Sequence, residues 1–86
     1  MKLQGAVIRE QGVTFAIVVV KRHVIDNRSE ANRAIGSFQS LFRGMPIILM
    51  AQDSRGRATY YGRRDITRFL ASVPMSAIPW KEYSVS

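Results

Sequence analysis

The chain of 86 residues contains no cysteine and one histidine, and these two absences exclude several kinds of chemistry. Without cysteine there is no disulfide framework, thiol nucleophile, cysteine-ligated zinc or iron–sulfur cluster. Because His23 is the one imidazole, a two-histidine metal site is excluded as well. The sequence therefore predicts no metal and no cofactor. The lack of cysteine fits a reducing compartment, so we expect a cytoplasmic protein.

Long apolar segments are also absent. The longest apolar run, Val13 to Val20 with Thr14 inside it, has eight residues, whereas a helix needs roughly 18–20 to cross a bilayer. No long apolar core follows a basic start at the N-terminus, so no targeting segment is expected. Hydrophobic residues make up 47% of the chain and charged residues 22%, which is typical of a globular protein. We therefore expect one domain, residues 1–86, and no membrane partner.

Negative charge is scarce, since six acidic residues face thirteen Lys and Arg and leave a formal net charge of +7. Such a surface attracts anionic partners without selecting among them. The six carboxylates are scattered at turns and helix starts, where they commonly cap or charge an element. His23 lies three residues before Asp26 but has no nucleophile beside it. No catalytic residue is predicted, and the sequence favours a protein that is not an enzyme. An enzyme is the least favoured interpretation and would need a deep pocket that joins His23 to Asp26 or another carboxylate.

The first half of the chain predicts a hairpin with a central second strand. Residues Leu3 to Ile8 and Val13 to Val20 are separated by the turn sequence Gln11-Gly12. The second strand is apolar on both faces at its start, which is typical of a strand that is covered on both sides. It could continue through the next polar residues as far as Ile25.

A helix is predicted from about residue 28 to 42. Asn27 followed by Glu30 resembles a capping box, with Asn in place of Ser or Thr. Behind it, apolar residues recur at helical spacing. They are Ala31, Ala34, Ile35, Phe38, Leu41 and Phe42. Gly44 is a natural stop after the helix.

Two further strands and a second helix follow. Ile47 to Ala51 is predicted as a strand that begins after Pro46, where a missing N–H matters least. Asp53 to Gly56 is predicted as a hairpin turn, and the polar alternation of Arg57 to Tyr61 suits an edge strand. Apolar residues then recur at i, i+3, i+4 and i+7 from residue 66 to 73, which predicts the second helix.

The order β-β-α-β-β-α, with a last strand as an option in the tail, predicts an α+β (α/β two-layer) fold. Its mixed sheet would have four or five strands and two helices. The connection between the second and third strands is long enough for a crossover between parallel strands. If both helices lie on one face, the other face needs a cover. Two covers are open: the tail from Met75 to Ser86 with Trp80, or a second copy in a homodimer.

Residues 43–73 begin with Arg43-Gly44-Met45-Pro46 and continue with an apolar strand, a tight turn, a second strand, Gly62 and an amphipathic helix. This arrangement resembles the C-terminal half of thioredoxin. That family has a cis-proline directly before such a strand, so the resemblance implies a cis peptide bond at Pro46. It implies no redox activity, because the chain contains no Cys-x-x-Cys. A redox-inactive thioredoxin-like domain is therefore one alternative for the function.

The strongest candidate site is the stretch from Arg55 to Arg68, with five of the thirteen basic residues and two tyrosines in 14 positions. Arginine forks match phosphate oxygens, and tyrosine can stack on an exposed base. Arg63 and Arg64 lie near the predicted helix start, where positive charge is unfavourable unless an anion docks there. The residues predicted for an anion or nucleic-acid site are Arg55, Arg57, Tyr60, Tyr61, Arg63, Arg64 and Arg68.

Three more interpretations are open besides the thioredoxin-like domain. The favoured one is a small basic, non-enzymatic binding module whose partner is nucleic acid or another phosphate-bearing anion. The second is a homodimeric or adaptor domain that uses an apolar sheet face for protein interaction. In the third, the arginines only solubilise an edge strand and pair locally with Asp53 and Asp65.

Overall fold

A computed structural model describes residues 2–84 and has a five-stranded mixed sheet. The strands are β1 (Lys2–Glu10), β2 (Val13–Val19), β3 (Ile47–Gln52), β4 (Ala58–Tyr61) and β5 (Lys81–Ser84). Their order is β4-β3-β2-β1-β5, so β4 and β5 form the edges. Neighbours are antiparallel except β2 and β3, which are parallel and need a crossover. The predicted α+β class, the mixed sheet and the C-terminal strand are confirmed.

Three α-helices accompany the sheet. They are α1 (Arg22–Asp26), α2 (Arg28–Phe38) and α3 (Arg64–Leu70), and a 3-10 turn (Met75–Ala77) precedes β5. Helix α1 corrects the prediction that the strand continues to Ile25. The chain becomes helical there because the charged side chains that follow Val20 would be buried without partners in a sheet covered on both faces. Within the helix, Nε of Arg22 lies 3.2 Å from Oδ1 of Asp26, one turn later. No helix of residues 2–84 has the length and apolar content to cross a bilayer.

Helix α2 begins at the predicted cap. The side-chain oxygen of Asn27 accepts a hydrogen bond from the backbone N–H of Glu30 at 3.0 Å, as a capping box requires. The Glu30 carboxylate is directed elsewhere, since its Oε1 lies 3.5 Å from Nε2 of His23. The first half of the capping box is therefore present, and in place of the second half the Glu30 carboxylate lies next to the His23 ring of α1.

The same helix ends at Phe38, four residues earlier than predicted. The side-chain amide of Gln39 donates hydrogen bonds to the carbonyl oxygens of Phe42 and Met45, both at 3.0 Å. These bonds stabilise a turn in place of the last helical turn. Phe42 is buried at 4% exposure, with its ring edge-on to that of Tyr83 at 5.2 Å between centroids.

The second hairpin and α3 follow the predicted order. Gly56 has a φ of 79°, which a glycine in this turn adopts without strain. Helix α3 ends at Leu70 rather than near residue 73, and the hydroxyl of Ser72 donates to the carbonyl oxygen of Phe69 at 2.9 Å just beyond its end. No peptide bond among the described residues is cis, so the cis bond that the thioredoxin resemblance implied for Pro46 is wrong. The Pro46 carbonyl instead accepts from the Ala16 N–H at 2.9 Å, which extends the parallel ladder.

Helices cover both faces of the sheet, so the expected two layers become three. Strands β2 and β3 are apolar on both faces, and neighbouring residues point to opposite sides, which is why each side needs a cover. One face packs under α3 and the tail; its buried residues are Ala6, Phe15, Ile17, Ile48, Met50, Ile66, Leu70 and Ile78. The other packs under α1, α2 and the following turn; its buried residues are Leu3, Ala16, Val18, Ala31, Phe42, Ile47 and Leu49.

The tail supplies part of the cover, as one of the two sequence-based options proposed. The indole N–H of Trp80 donates to the Met75 carbonyl at 3.1 Å, and the ring packs against the α3 side of the core. Among the large hydrophobic residues of the described range, Val7 and Leu41 are the exposed ones, with 39% and 36% of their surface accessible to solvent. The bare apolar face that suggested a homodimer is therefore missing from this part of the chain. Residues 85 and 86 of the predicted tail lie outside the described residues.

Gly62 joins β4 to α3 and leaves no room for a side chain. Its φ is 149°, and an added Cβ would lie 2.6 Å from Cδ1 of Ile48 and 3.1 Å from the carbonyl oxygen of Ile47. We expect Gly62→Ala to lower the free energy of unfolding by about 1–3 kcal/mol, the usual cost of a strained backbone position. Calorimetry should show a lower melting temperature, by about 4–8 °C for each kcal/mol lost.

Gly36→Ala is the matched control. Gly36 lies on the exposed side of α2, where an added Cβ meets nothing within 4 Å. Alanine is favoured over glycine inside a helix by about 1 kcal/mol, so the control should melt above wild type. A Gly62→Ala protein as stable as wild type would contradict the close packing at the junction between β4 and α3.

Candidate anion-binding groove

An open groove of about 750 Å³ lies between the edge strand β4 and α3. We call it the β4–α3 groove. The side chains that define it are Arg57, Tyr60, Arg64, Arg68, Val73 and Met75. Ile66 and Leu70 of α3 are buried against the sheet, so the other face of the helix forms the wall of the groove. Its volume falls in the range of roughly 300–1,000 Å³ that is usual for ligand sites.

Arg64 and Arg68 lie one turn apart on α3 and share one side of the helix. Both are exposed, and no Asp or Glu side chain of residues 2–84 lies within 4.0 Å of either guanidinium. Two like charges at this spacing destabilise a helix by about 0.2–0.5 kcal/mol. The sequence thus accepts an unfavourable pair of charges at this position, and a bound anion would relieve it.

Arg57 lies on the β4 side of the groove and is partly neutralised. Its Nε is 3.2 Å from Oδ2 of Asp53, and its side chain is 73% exposed. A guanidinium carries five N–H donors, so a ligand can still be bound by those that Asp53 does not use. No acidic residue of the described range lines the groove, which leaves its wall positively charged.

Asp53 gives the hairpin turn a contribution to stability that depends on pH. Hydrogen bonds to its carboxylate, first from the backbone N–H of Arg57 and also from that of Arg55, hold the pKa of Asp53 below its ordinary value. A carboxyl with a lowered folded-state pKa stabilises the fold above its unfolded pKa. That contribution is lost as the pH falls through the folded pKa.

We therefore expect Asp53→Asn to melt below wild type at neutral pH, because the variant loses the charge and keeps the shape. The difference should shrink once the pH falls below the ordinary aspartate value of about 3.9. Thermal melts at neutral and acid pH measure it. A difference that is the same at both pH values would show that the charge of Asp53 does not stabilise the turn.

Arg63 is paired and does not line the groove. Its Nε and Nη2 donate to the two carboxylate oxygens of Asp65, each at 2.9 Å, and this side-chain bond lowers the pKa of Asp65. Asp65, a residue of the helix itself, therefore offsets the charge of Arg63 near the start of α3. Local pairing with Asp53 and Asp65, one of the sequence-based interpretations, holds for Arg57 and Arg63 but not for Arg64 and Arg68.

The two tyrosines are separated by the sheet, which corrects the prediction that both belong to one site. Residues alternate between faces along a strand, so Tyr60 lies on the groove side and Tyr61 on the α2 side. The Tyr61 hydroxyl donates to the side-chain oxygen of Asn32 at 3.0 Å. The Tyr60 hydroxyl is buried and has no hydrogen-bond partner among residues 2–84, and burial raises the pKa of Tyr60.

Four of the seven predicted site residues thus line one groove. They are Arg57, Tyr60, Arg64 and Arg68, whereas Arg55, Tyr61 and Arg63 do not line it. Arg55 lies in the exposed turn between β3 and β4. The lining residues that the sequence analysis did not assign to the site are Ala58, Thr67, Leu70, Ala71, Val73 and Met75. The signal for Thr67 and Ala71 was available, because residues 64, 67, 68 and 71 follow the i, i+3, i+4, i+7 spacing of one helix face.

His23 lies in α1, outside the groove, with its ring 3.5 Å from the Glu30 carboxylate. Across residues 2–84, no three or more His, Asp or Glu side chains come close enough together to hold a metal ion. The groove itself offers exposed guanidinium groups and partly exposed apolar side chains.

These observations define the class as a small basic α+β domain with an arginine-lined groove on one side of a mixed sheet. No protein-family model, curated protein or solved structure matches the chain. The resemblance of residues 43–73 to the C-terminal half of thioredoxin therefore stays a prediction.

Proposed function

We propose that the protein is a small, non-enzymatic binding module whose β4–α3 groove binds a phosphate-bearing partner, with nucleic acid as the favoured one. The observation that carries this proposal is the pair Arg64 and Arg68. They are exposed on one side of α3, and no acidic side chain of the described residues neutralises them. Arg57 adds a third guanidinium from the opposite wall.

The chemistry of arginine supports an oxyanion such as phosphate rather than a halide. A guanidinium fork donates two parallel hydrogen bonds to phosphate oxygens, and bonds of this kind are shorter and stronger than neutral ones. A phosphate between Arg64 and Arg68 would also offset the repulsion between them. The two walls of the groove offer guanidinium groups to more than one phosphate, which supports a polymer over a single ion.

The charge of the whole chain supports the same partner. Thirteen basic residues against six acidic ones give +7, which speeds encounter with a polyanion and holds it loosely over the surface. The groove then adds the close contacts that a loosely held strand lacks elsewhere. Long-range attraction alone would make every exposed arginine equivalent, whereas the proposal makes those of the groove dominant.

Fluorescence anisotropy with a labelled oligonucleotide at low salt tests the proposal. We expect the logarithm of the observed association constant to fall linearly with the logarithm of the salt concentration. The slope should be about −0.7 for each phosphate contact to a single strand, or about −2 for three arginines. The absence of binding to any oligonucleotide at low salt would overturn the proposal.

The alternatives have less support. A homodimeric or adaptor domain was expected from a bare sheet face, and both faces are covered within residues 2–84. A redox-inactive thioredoxin-like domain leaves the unpaired arginines without a role. Sedimentation of the free protein in the anisotropy buffer distinguishes the first alternative, since our proposal needs only a monomer.

A further inference from the structure

The outer side of β1 is only half covered by the tail strand. Residues Lys2 to Gly5 pair with β5, in which Lys81 lies opposite Gly5. Strand β1 continues to Glu10, whereas β5 begins at Lys81. Within residues 2–84, the second half of β1 therefore has a neighbouring strand on the β2 side alone. We call this second half, residues 6–10, the open edge of β1.

The hairpin turn determines which backbone groups point out of the open edge. The two residues that join β1 to β2 have φ values of 50° and 80°, which is typical of a type I′ turn, so Glu10 and Val13 exchange the first ladder hydrogen bonds. Bonded and non-bonded pairs alternate along an antiparallel ladder, so residues 6, 8 and 10 bond to β2. The N–H and C=O groups of Val7 and Arg9 point outwards and have no partner within residues 2–84.

The side chains of the open edge are accessible, and one face of it is basic. Residues alternate between faces, so Val7 and Arg9 lie on the α2 side, whereas Ile8 and Glu10 lie on the α3 side. Val7 is exposed. No Asp or Glu side chain of the described residues lies within 4.0 Å of the Arg9 guanidinium. A neighbour on this face would therefore meet an apolar residue followed by an unpaired positive charge.

Unpaired N–H and C=O groups along a strand edge are a template for one more strand. An extended peptide backbone presents donors and acceptors at the same spacing, and pairing of this kind is a recurrent mode of peptide recognition. Edges that are protected against pairing commonly carry proline or inward charges, whereas residues 6–8 are Ala-Val-Ile. Strand β5 already pairs with the same side of β1 in the antiparallel direction, so an added strand would continue its line.

Charge decides between the possible occupants of the open edge. A second copy of the chain carries the same net charge of +7 and is repelled. Antiparallel pairing of two copies would also place both Arg9 side chains on one face of the joined sheet. An acidic strand is attracted instead, and its carboxylate opposite Arg9 would receive the guanidinium donors that no side chain of residues 2–84 uses.

We propose that the open edge of β1 binds an extended acidic segment of a partner protein as an added antiparallel strand. Its backbone exchanges hydrogen bonds with Val7 and Arg9, an acidic residue lies opposite Arg9, and an apolar residue lies opposite Val7. This surface is separate from the β4–α3 groove, because β4 lies three strands away from β1 in the sheet. The chain would thus connect a protein at one side of the sheet to an anion at the other.

Labelled peptides of about eight residues, a usual strand length, test the proposal by fluorescence anisotropy. The parent peptide has glutamate two positions before valine in a threonine background, and we expect it to bind. N-methylation of the glutamate and valine amides, which face β1, should weaken binding at least tenfold, since two hydrogen bonds are lost. N-methylation of the two flanking threonine amides, which face solvent, is the matched control and should be tolerated.

Equal binding of the two N-methylated peptides would contradict strand addition. The same holds if the parent peptide shows no binding at millimolar concentration. A peptide with lysine in place of glutamate should bind about threefold to tenfold more weakly than the parent, as expected for an exposed charge pair that becomes repulsive. A lysine peptide that binds as well as the parent would overturn the acidic partner.

Arg9→Glu places the peptide on the chain, with Arg33→Glu on the exposed side of α2 as the control that makes the same change in charge. We expect Arg9→Glu to weaken binding of the glutamate peptide and to strengthen binding of the lysine peptide. Arg33→Glu should change both affinities little, because its charge is on another element. Equal effects of the two variants would overturn the assignment to the open edge.

Sedimentation of the free protein tests a second copy as the occupant. Val7→Pro removes an outward N–H that bonds nothing within residues 2–84, which a strand edge tolerates. A dimer that Val7→Pro dissociates would overturn the acidic partner. Oligonucleotide binding should be the same with and without saturating peptide, whereas competition between them would contradict separate sites. Loss of peptide binding alone would sink this inference and leave the proposed function standing.

Discussion

Replacing both Arg64 and Arg68 with glutamine should weaken nucleic-acid binding about 100-fold or more, since each charge-assisted hydrogen bond contributes about 1.5–3 kcal/mol. Glutamine has a helix propensity close to that of arginine. Neither arginine forms an ion pair with an acidic side chain of residues 2–84, so the fold has little to lose. Anisotropy titration measures the affinity, and circular dichroism melts check that the variant is folded.

The matched control replaces Arg28 and Arg33 of α2 with glutamine. Both are exposed, both lack an acidic partner among the described residues, and their helix covers the other face of the sheet. The control removes the same two charges, so it reports the part of the affinity that comes from net charge. With both double variants titrated at about 0.1 M salt, we expect a loss of only a few-fold, since exposed charges beyond about 10 Å are largely screened there. Equal losses in the two double variants would contradict the groove as the binding site.

The second large effect concerns stability. Phe15 is 2% exposed in β2, where it packs in the core cluster that α3 covers. We expect Phe15→Ala to lower the free energy of unfolding by about 3–5 kcal/mol, from the lost burial and the cavity that remains. The free energy of unfolding of a small domain is about 5–15 kcal/mol in total, so this single substitution should remove a large share of it. Urea unfolding measures it as a lower midpoint.

Val7→Ala is the control for this prediction. Val7 is 39% exposed on the neighbouring strand β1, so its truncation leaves no enclosed cavity. Its effect on the unfolding midpoint should be small compared with that of Phe15→Ala. Comparable midpoints for the two variants would contradict the position of Phe15 in the core under α3.

Much of the fold could be predicted because period-two and helical spacings report local structure directly. The apolar character of β2 and β3 on both faces correctly indicated central strands. Two apolar faces also mean that both sides of the sheet need a cover. Helical periodicity, however, does not indicate which face a given helix covers. Helix α1 was missed because Val24 and Ile25 favour a strand by propensity, whereas their packing against α2 and β3 decides the outcome.

The candidate site was predictable in composition and less so in geometry. Strand alternation already separates Tyr60 from Tyr61, since neighbours in a strand face opposite sides. Which arginines are neutralised could not be predicted, because it depends on where Asp53 and Asp65 point after the turn and the helix form. That Val73 and Met75 line the groove could not be predicted either. They belong to the segment after α3, and only the folded chain brings this segment beside β4.

The most direct test of the groove as the binding site follows backbone amide resonances of the isotope-labelled protein while a single-stranded oligonucleotide is added. Our account predicts that the largest shifts occur in residues 57–61 and 64–75, the two walls of the β4–α3 groove. The exposed side of α2, residues 28–38, should change little. Largest shifts on α2, or shifts spread evenly over all basic residues, would contradict the account.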